Sequence, residues 1–350
     1  MQIELTKENV KLIGRTLKIE DVLWCALSGT GAAFTFTGKK LMVTILGGLQ
    51  ATLENNEGNY ARIAFYVNGR RVLEDMVTTA EKTYTICDNE EEKRMDVQII
   101  KLSESAMSVI GIRDLEIADT ESVEPLSEKA RKIEFIGDSI TCGYGVDCED
   151  PLVPFTTATE DVTRAFAYKT AKALDADYSM FSASGYGIIS GYTADPDVKS
   201  PEQLIPLYYH SLGFSYDTFL DGKNTTKIDW NFADYQPDTV VINLGTNDDS
   251  YCQDTVEKQK EYAVAYTRFL KDVRSKNPEA KIVCVLGIMG ARLYPLVEKA
   301  VAEYTKETGD GNVCTLELPE QDIRYGYASD YHPIERAHDV AAAVLTRALQ

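Results

Sequence analysis

Three apolar stretches of this sequence end in polar residues able to do chemistry, and a fourth segment carries a histidine. Ile133 to Ile136 stops at Gly137-Asp138-Ser139, and Val240 to Leu244 stops at Gly245-Thr246-Asn247-Asp248. Tyr178 to Ala183 stops at Ser184-Gly185-Tyr186-Gly187, and His332 stands in Ser329-Asp330-Tyr331-His332-Pro333, ahead of the last amphipathic stretch. A serine at a tight turn becomes a nucleophile when a base takes its proton, and near neutral pH that base is usually imidazole. Ser139 is the candidate nucleophile and His332 the candidate base. Asp330 lies two residues before His332. In an extended segment both side chains share a side, so the carboxylate would accept the second ring N–H and hold the tautomer that serine activation needs. An amide or a main-chain N–H at the same edge would stabilise an oxyanion. The candidates are the N–H groups of Ser139 and Gly185 and the side chain of Asn247. Asp248 is expected to fix its loop by accepting local backbone N–H groups. Each segment taken singly also reads as an ordinary capped turn between elements.

The chain has three histidines. His338 falls inside the terminal helical pattern and reads as a helix-surface residue. His210 lies among aromatic neighbours in an irregular stretch. Of the 20 tyrosines, Tyr144, Tyr186, Tyr192 and Tyr331 adjoin the motifs. Aromatic rings beside a site stack on sugar faces, which makes these four the substrate-binding candidates, with Tyr331 first.

The elements that must position these residues change in character along the chain. Residues 1–120 read as many short strands. Asn68-Gly69 sits between two strand-like runs, a strong hairpin signal. Thr83 to Cys87, Met95 to Lys101 and Ser108 to Ile117 add three more runs, and the whole suggests a β-sandwich. Residues 121–130, polar and containing Pro125, read as a linker. From 131 to 350, apolar runs alternate with helical periodicity at Arg164–Leu174, Asp254–Arg274, Tyr294–Thr305 and Ile334–Leu349. This pattern predicts a parallel sheet covered on both faces, an α/β/α domain. In the second of these helices Val256, Tyr262, Ala263, Tyr266, Phe269 and Leu270 would share the buried face. The irregular stretch 195–230, with Tyr208, Tyr209, Phe214, Tyr216 and Phe219, is expected to form an ordered loop near the site.

Composition excludes several classes. With a formal net charge of −19 over 350 residues, the chain repels phosphate backbones and anionic membranes, so nucleic acid and membrane partners are not expected and a neutral substrate fits. The N-terminus shows no basic, apolar leader pattern, and no stretch is apolar enough to span a bilayer. The seven cysteines are scattered without a C-x-x-C pair, which argues against a metal cage or a disulfide framework and for a cytoplasmic protein.

Gly137-Asp138-Ser139, Gly185, Asn247 in Gly-Thr-Asn-Asp and His332, in that order, resemble the SGNH (GDSL-like) hydrolase superfamily. A β-rich region ahead of such a domain, with Gly-Asp-Ser-Ile-Thr-Cys-Gly-Tyr-Gly, Ser-Gly-Tyr-Gly-Ile, Leu-Gly-Thr-Asn-Asp and Asp-Tyr-His-Pro, is similar to carbohydrate esterase family 2. The resemblance covers nearly the whole chain. It implies a jelly-roll N-terminal domain and a serine esterase, free of metal and cofactor, that removes acetyl groups from plant-polysaccharide fragments such as xylo- or manno-oligosaccharides. It also carries one departure. The superfamily usually has Asp three residues before the histidine, where this chain has Ser329. Family members resembled here work either with Asp two residues before it or with a Ser–His pair steadied by a backbone carbonyl. A lipase or thioesterase of the same superfamily and a non-catalytic carbohydrate-binding protein are the alternatives.

Overall fold

The structure, a computed structural model, describes residues 1–54, 56 and 58–350. It divides into two units, one of residues 1–129, 156–160 and 211–229 and the other of 130–155, 161–210 and 230–350.

Among its described residues the first unit carries ten strands: Gln2–Ile3 (β1), Lys11–Ile13 (β2), Thr16–Ile19 (β3), Val22–Cys25 (β4), Gly31–Gly47 (β5), Ala61–Val67 (β6), Arg70–Val77 (β7), Glu81–Lys101 (β8), Ile110–Glu116 (β9) and Ser122–Pro125 (β10). All pair antiparallel. The expected hairpin joins β6 to β7, with Asn68 and Gly69 both at positive φ (50° and 77°), the twist a two-residue turn requires. Two runs expected as separate strands are joined in β8. Opposite β5 the register jumps from Gly38↔Lys93 to Lys40↔Asp88, so the polar segment Asn89-Glu-Glu-Glu92 swells outward as a bulge without ending the strand. The segment expected as a linker contains β10, which pairs Ser122–Pro125 with Thr37–Phe34. Its Pro125 is tolerated at the strand's end, where no ladder N–H is needed. Inward residues two apart, such as Phe34 and Phe36, Val43 and Ile45, Ile63 and Phe65, and Val97 and Ile99, form the core.

Part of the irregular stretch also belongs to this unit. Phe219 stacks on Trp24 with ring centroids 4.8 Å apart. The Asp217 carboxylate accepts the N–H groups of Gln50 and Val109. Tyr209 lies in the second unit but is fully buried, its hydroxyl on Glu134 Oε2 at 2.6 Å. These three residues are packing and loop-fixing groups, while Gln203 and Ile205 of the same stretch exchange main-chain hydrogen bonds with Gly187 beside the Gly185 turn.

In the second unit, Arg131–Gly137 (β11), Ala176–Ser182 (β12), Thr239–Asn243 (β13), Lys281–Leu286 (β14) and Val313–Glu317 (β15) form a parallel sheet in the order β12-β11-β13-β14-β15. The helices are Ser139–Cys142 (α1), Phe166–Ala173 (α2), Ile205–Tyr208 (α3), Thr246–Cys252 (α4), Val256–Lys276 (α5), Tyr294–Thr308 (α6) and Glu335–Leu349 (α7). Phe135 meets Phe166 of α2. Phe181 is in register with Ile136, hence on the opposite face, and reaches Phe269 of α5 through Tyr209. Helices therefore cover both faces, as expected. In α5 the buried stripe is Tyr262, Ala263, Tyr266, Thr267, Phe269, Leu270 and Val273. Val256 is 52% exposed, because it begins the helix ahead of the packed turns. His338 is also not a surface residue. It is fully buried, and its Nδ1 accepts the Phe166 N–H at 3.2 Å, where α7 packs on α2.

Candidate active site

The register of the sheet sets the site. Gly137 is level with Ser182 on one side and with Asn243 on the other, so the turns after β11, β12 and β13 emerge side by side at the carboxyl edge. The main chain leaves β11 at Gly137. Asp138 then caps α1, its carboxylate accepting the Ile140 N–H at 3.0 Å. Ser139 is the first residue of the helix, and Gly143 closes it after one turn at φ 80°. A Cβ on Gly143 would lie 2.5 Å from the Asp161 carbonyl oxygen, so no other residue fits. Gly145 has a second role. A Cβ there would lie 2.7 Å from that of Ser329, so its absence lets the His332 segment close on the nucleophile turn.

Ser139 Oγ and His332 Nε2 are 2.9 Å apart. His332 Nδ1 lies 3.2 Å from the backbone oxygen of Asp330. A carbonyl only accepts, so Nδ1 carries the proton and the lone pair of Nε2 faces the serine hydroxyl. Burial lowers the His332 pKa to about 4, against the smaller upward pull of the Asp330 carbonyl and carboxylate, so the ring is neutral, with Nε2 unprotonated, at neutral pH.

The Asp330 carboxylate does not hold the imidazole. It accepts the Tyr144 hydroxyl at 2.9 Å and the Phe155 N–H at 3.2 Å. The expected same-side geometry needed an extended segment. Asp330 and Tyr331 instead take left-handed φ values of 51° and 63°, which present the carbonyl of Asp330 to the ring. Ser329, three residues before the histidine, is fully buried against Gly145.

Among the described residues, neither the Ser139 N–H nor the Gly185 N–H donates within the chain. Gly185 has φ 81°, with nothing within 4 Å of where its Cβ would be. Asn247, in the first turn of α4, is 7% exposed. One amide hydrogen is held by the Tyr186 carbonyl at 2.9 Å. The nearest further acceptor, Asp138 Oδ2, lies 3.5 Å from the amide nitrogen, which leaves the second hydrogen weakly engaged.

The turn that carries Gly185 is anchored from beneath. The buried Asp248 carboxylate accepts the N–H groups of Ile188, Ile189 and Ser190 at 2.7–3.1 Å. The sequence suggested local partners. The partners are instead sixty residues away, because β12 and β13 flank β11 and bring the two turns together. Burial raises Asp138 to about 7 and Asp248 to about 6.

The four tyrosines separate. Tyr331 and Tyr192 are exposed, at 54% and 62%. Tyr186 is buried and packs on Tyr208. Tyr144 is stacked between Phe155 and His332. Phe155 had no signal in the sequence, since nothing in Pro154-Phe155 marks a partner 175 residues away.

A serine bonded to a histidine at the carboxyl edge of a parallel sheet, with unpaired N–H groups beside it, is an arrangement able to do acyl-transfer chemistry. The chain belongs to the GDSL-like lipase/acylhydrolase family, which matches residues 135–340, and residues 12–126 match the carbohydrate esterase 2 N-terminal domain. It is 29% identical over 92% of its length to the cellulase/esterase CelE of Acetivibrio thermocellus, and 34% identical over 53% of its length to an acetylxylan esterase/glucomannan deacetylase of Cellvibrio japonicus. It spans 37% and 51% of those two proteins. Its fold is similar to that of an acetyl xylan esterase (Est2A) from Butyrivibrio proteoclasticus, with a TM-score of 0.87, 23% identity and 100% and 96% of the two chains covered. It is likewise similar to a family two carbohydrate esterase from Clostridium thermocellum solved in complex with cellohexaose, with a TM-score of 0.81, 26% identity and 97% and 98% covered.

Proposed function

We propose that this protein is a serine esterase that removes O-acetyl groups from neutral oligosaccharides derived from plant polysaccharides, xylo- or manno-oligosaccharides foremost. The observation that carries the reading is the 2.9 Å contact of Ser139 Oγ with a His332 whose other nitrogen is held by a main-chain carbonyl. Ser139, His332, Asn247 and the N–H of Gly185 form the proposed machinery, with Asp330 contributing its carbonyl.

His332 Nε2 takes the hydroxyl proton as Ser139 Oγ bonds to the acetyl carbon. The carbonyl oxygen becomes an oxyanion among the N–H groups of Ser139 and Gly185 and the Asn247 amide. Its collapse breaks the bond to the sugar oxygen, which leaves with the proton from His332. Water then attacks the acetyl-serine, giving its proton to His332, and acetate departs as Ser139 recovers its hydrogen. One oxyanion donor contributes about 3 kcal/mol to barrier lowering.

The acetylated-glycan substrate follows the activities named for the relatives, and the cellohexaose held by one of them favours β-linked glucan-like chains. Tyr331 and Tyr192, exposed beside the motifs, are the proposed sugar-stacking residues. The first unit is read as a jelly-roll sandwich, its ten strands hydrogen-bonded in one antiparallel sheet in which β5 pairs with β2 and β10 in its first half and with β9 in its second. The cytoplasm is the proposed compartment, since all seven cysteines are free. No described helix is long and apolar enough to cross a membrane.

The test is acetate release from partially acetylated xylo- and manno-oligosaccharides by wild type and Ser139→Ala, beside acyl esters of increasing chain length. Turnover of acetylated sugars that Ser139→Ala abolishes supports the reading. A preference for butyryl or longer esters would replace it with a lipase or thioesterase, and glycan binding without turnover would replace it with a binding protein.

A further inference from the structure

Three observations converge on Tyr144. Its ring lies between those of Phe155 and His332, with centroids 3.8 and 4.0 Å away and interplanar angles of 14° and 28°. Its hydroxyl donates to Asp330 Oδ2 at 2.9 Å, and the Phe155 N–H donates to the same oxygen at 3.2 Å. Asp330 itself has φ 51°, a conformation that a residue with a side chain keeps only where its surroundings hold it.

These contacts supply what the base requires. The imidazole must face Ser139 with Nε2 and the Asp330 carbonyl with Nδ1 at once, so its ring rotation must be restrained. A flat ring stacked on one face restrains it. The carbonyl must stay aimed at Nδ1, although it comes from a left-handed residue on a turn. A side chain tied at its far end keeps that residue in place. Tyr144 does both, and it rides on the nucleophile's own turn, its N–H donating to the Ser139 carbonyl at 3.1 Å. One short segment thus supplies the nucleophile and the floor beneath its base.

We propose that Tyr144 is the positioning residue of the catalytic base. Its ring floors the His332 imidazole, and its hydroxyl pins Asp330 so that the Asp330 carbonyl holds the Nδ1–H tautomer. Tyr144 acts through His332 and takes no part in binding the sugar, which separates it from Tyr331 and Tyr192. The proposal rests on the esterase reading of the same site.

The experiment compares wild type, Tyr144→Phe and Tyr144→Leu by steady-state deacetylation and by NMR of histidine labelled with nitrogen-15. The His332 resonances are assigned with His332→Gln. Tyr144→Phe keeps the ring and loses the pin, and is expected to lower kcat about tenfold. Tyr144→Leu loses both and is expected to lower kcat about a hundredfold, with KM within about twofold of wild type in each case. The nitrogen shifts should report Nδ1–H in wild type and an average of the two tautomers in Tyr144→Leu. A raised KM at unchanged kcat would make Tyr144 a substrate contact and overturn the proposal, as would an unchanged tautomer in Tyr144→Leu. Should Tyr144→Leu not fold, Tyr144→Phe carries the test through its kcat. The NMR readout needs no turnover. A wild type that deacetylates nothing refutes the proposed activity, while the tautomer of His332 still decides the role of Tyr144.

Discussion

Replacing Asp330 separates a carboxylate triad from a histidine steadied by main chain. In a triad the carboxylate bonds the imidazole, and its amide replacement costs about 10⁴ in kcat in the worked serine-protease case. Here the carboxylate is exposed and bonds Tyr144 and Phe155, while the carbonyl, which no side-chain substitution removes, faces Nδ1. Asparagine keeps an acceptor oxygen for those two donors and tolerates left-handed φ. The loss is the charge on two exposed hydrogen bonds, about 1 kcal/mol at most, which is about fivefold in kcat/KM. Alanine loses both bonds and leaves φ at 51° without side-chain support. The two effects sum to about 2 kcal/mol of turn stability, and kcat/KM falls about thirtyfold as the carbonyl swings away. The assay is acetate release at fixed pH for wild type, Asp330→Asn and Asp330→Ala, with melting temperatures alongside. A 10⁴-fold loss in a normally melting Asp330→Asn would refute the reasoning and restore the carboxylate as the orienting group.

Asn247→Ala should lower kcat by about 10²–10³ with little change in KM, since its second amide hydrogen is only weakly engaged until an oxyanion forms, and steady-state kinetics on the acetylated substrate checks this. The acid limb of kcat/KM should fall at about pH 4, where the lowered His332 takes its proton, well below the ordinary 6.5 of histidine. The same displacement acts on folding. His332 and His338, lowered to about 4 and about 3, bind protons in the unfolded chain first, so their contribution to stability is full above 6.5 and declines as pH falls from there toward the folded values. A pH–rate profile and denaturant titrations across this range test both statements. Thiol titration should find seven reactive groups in denaturant. In the native protein labelling should be confined to Cys87, Cys148 and Cys314, since Cys25, Cys142, Cys252 and Cys284 are buried.

Much of the architecture was legible because strands buried on both faces are written as unbroken apolar runs and covering helices as stripes of period near 3.6. Both are local properties. Ser139, Gly185 and Asn247 were legible for the same reason, each standing where such a run breaks into a polar turn, and His332 was legible by standing just ahead of the last helical stripe. The bulge at 89–92 was not legible, because one strand interrupted outward looks like two strands. Strand β10 was missed because its residues are exposed apart from the half-buried Val123, which leaves almost no apolar pattern to read. The burial of His338 was missed because an amphipathic stripe does not say which polar residue lies under a neighbouring helix.

The sequence by itself determined which residues end up at the edge, since the turn residues follow strands whose direction in a parallel sheet is common. Tertiary structure alone decided which of those residues touch. The order β12-β11-β13 tied Asp248 to Ile188–Ser190. Gly145 admitted Ser329, and two left-handed residues turned a carbonyl, in place of a carboxylate, toward His332. The first two contacts join groups about sixty and nearly two hundred residues apart, and the third, though it spans two residues, depends on the bond from the remote Tyr144 to Asp330. Their energies depend on distance and angle in space, quantities that no local pattern of residue types encodes.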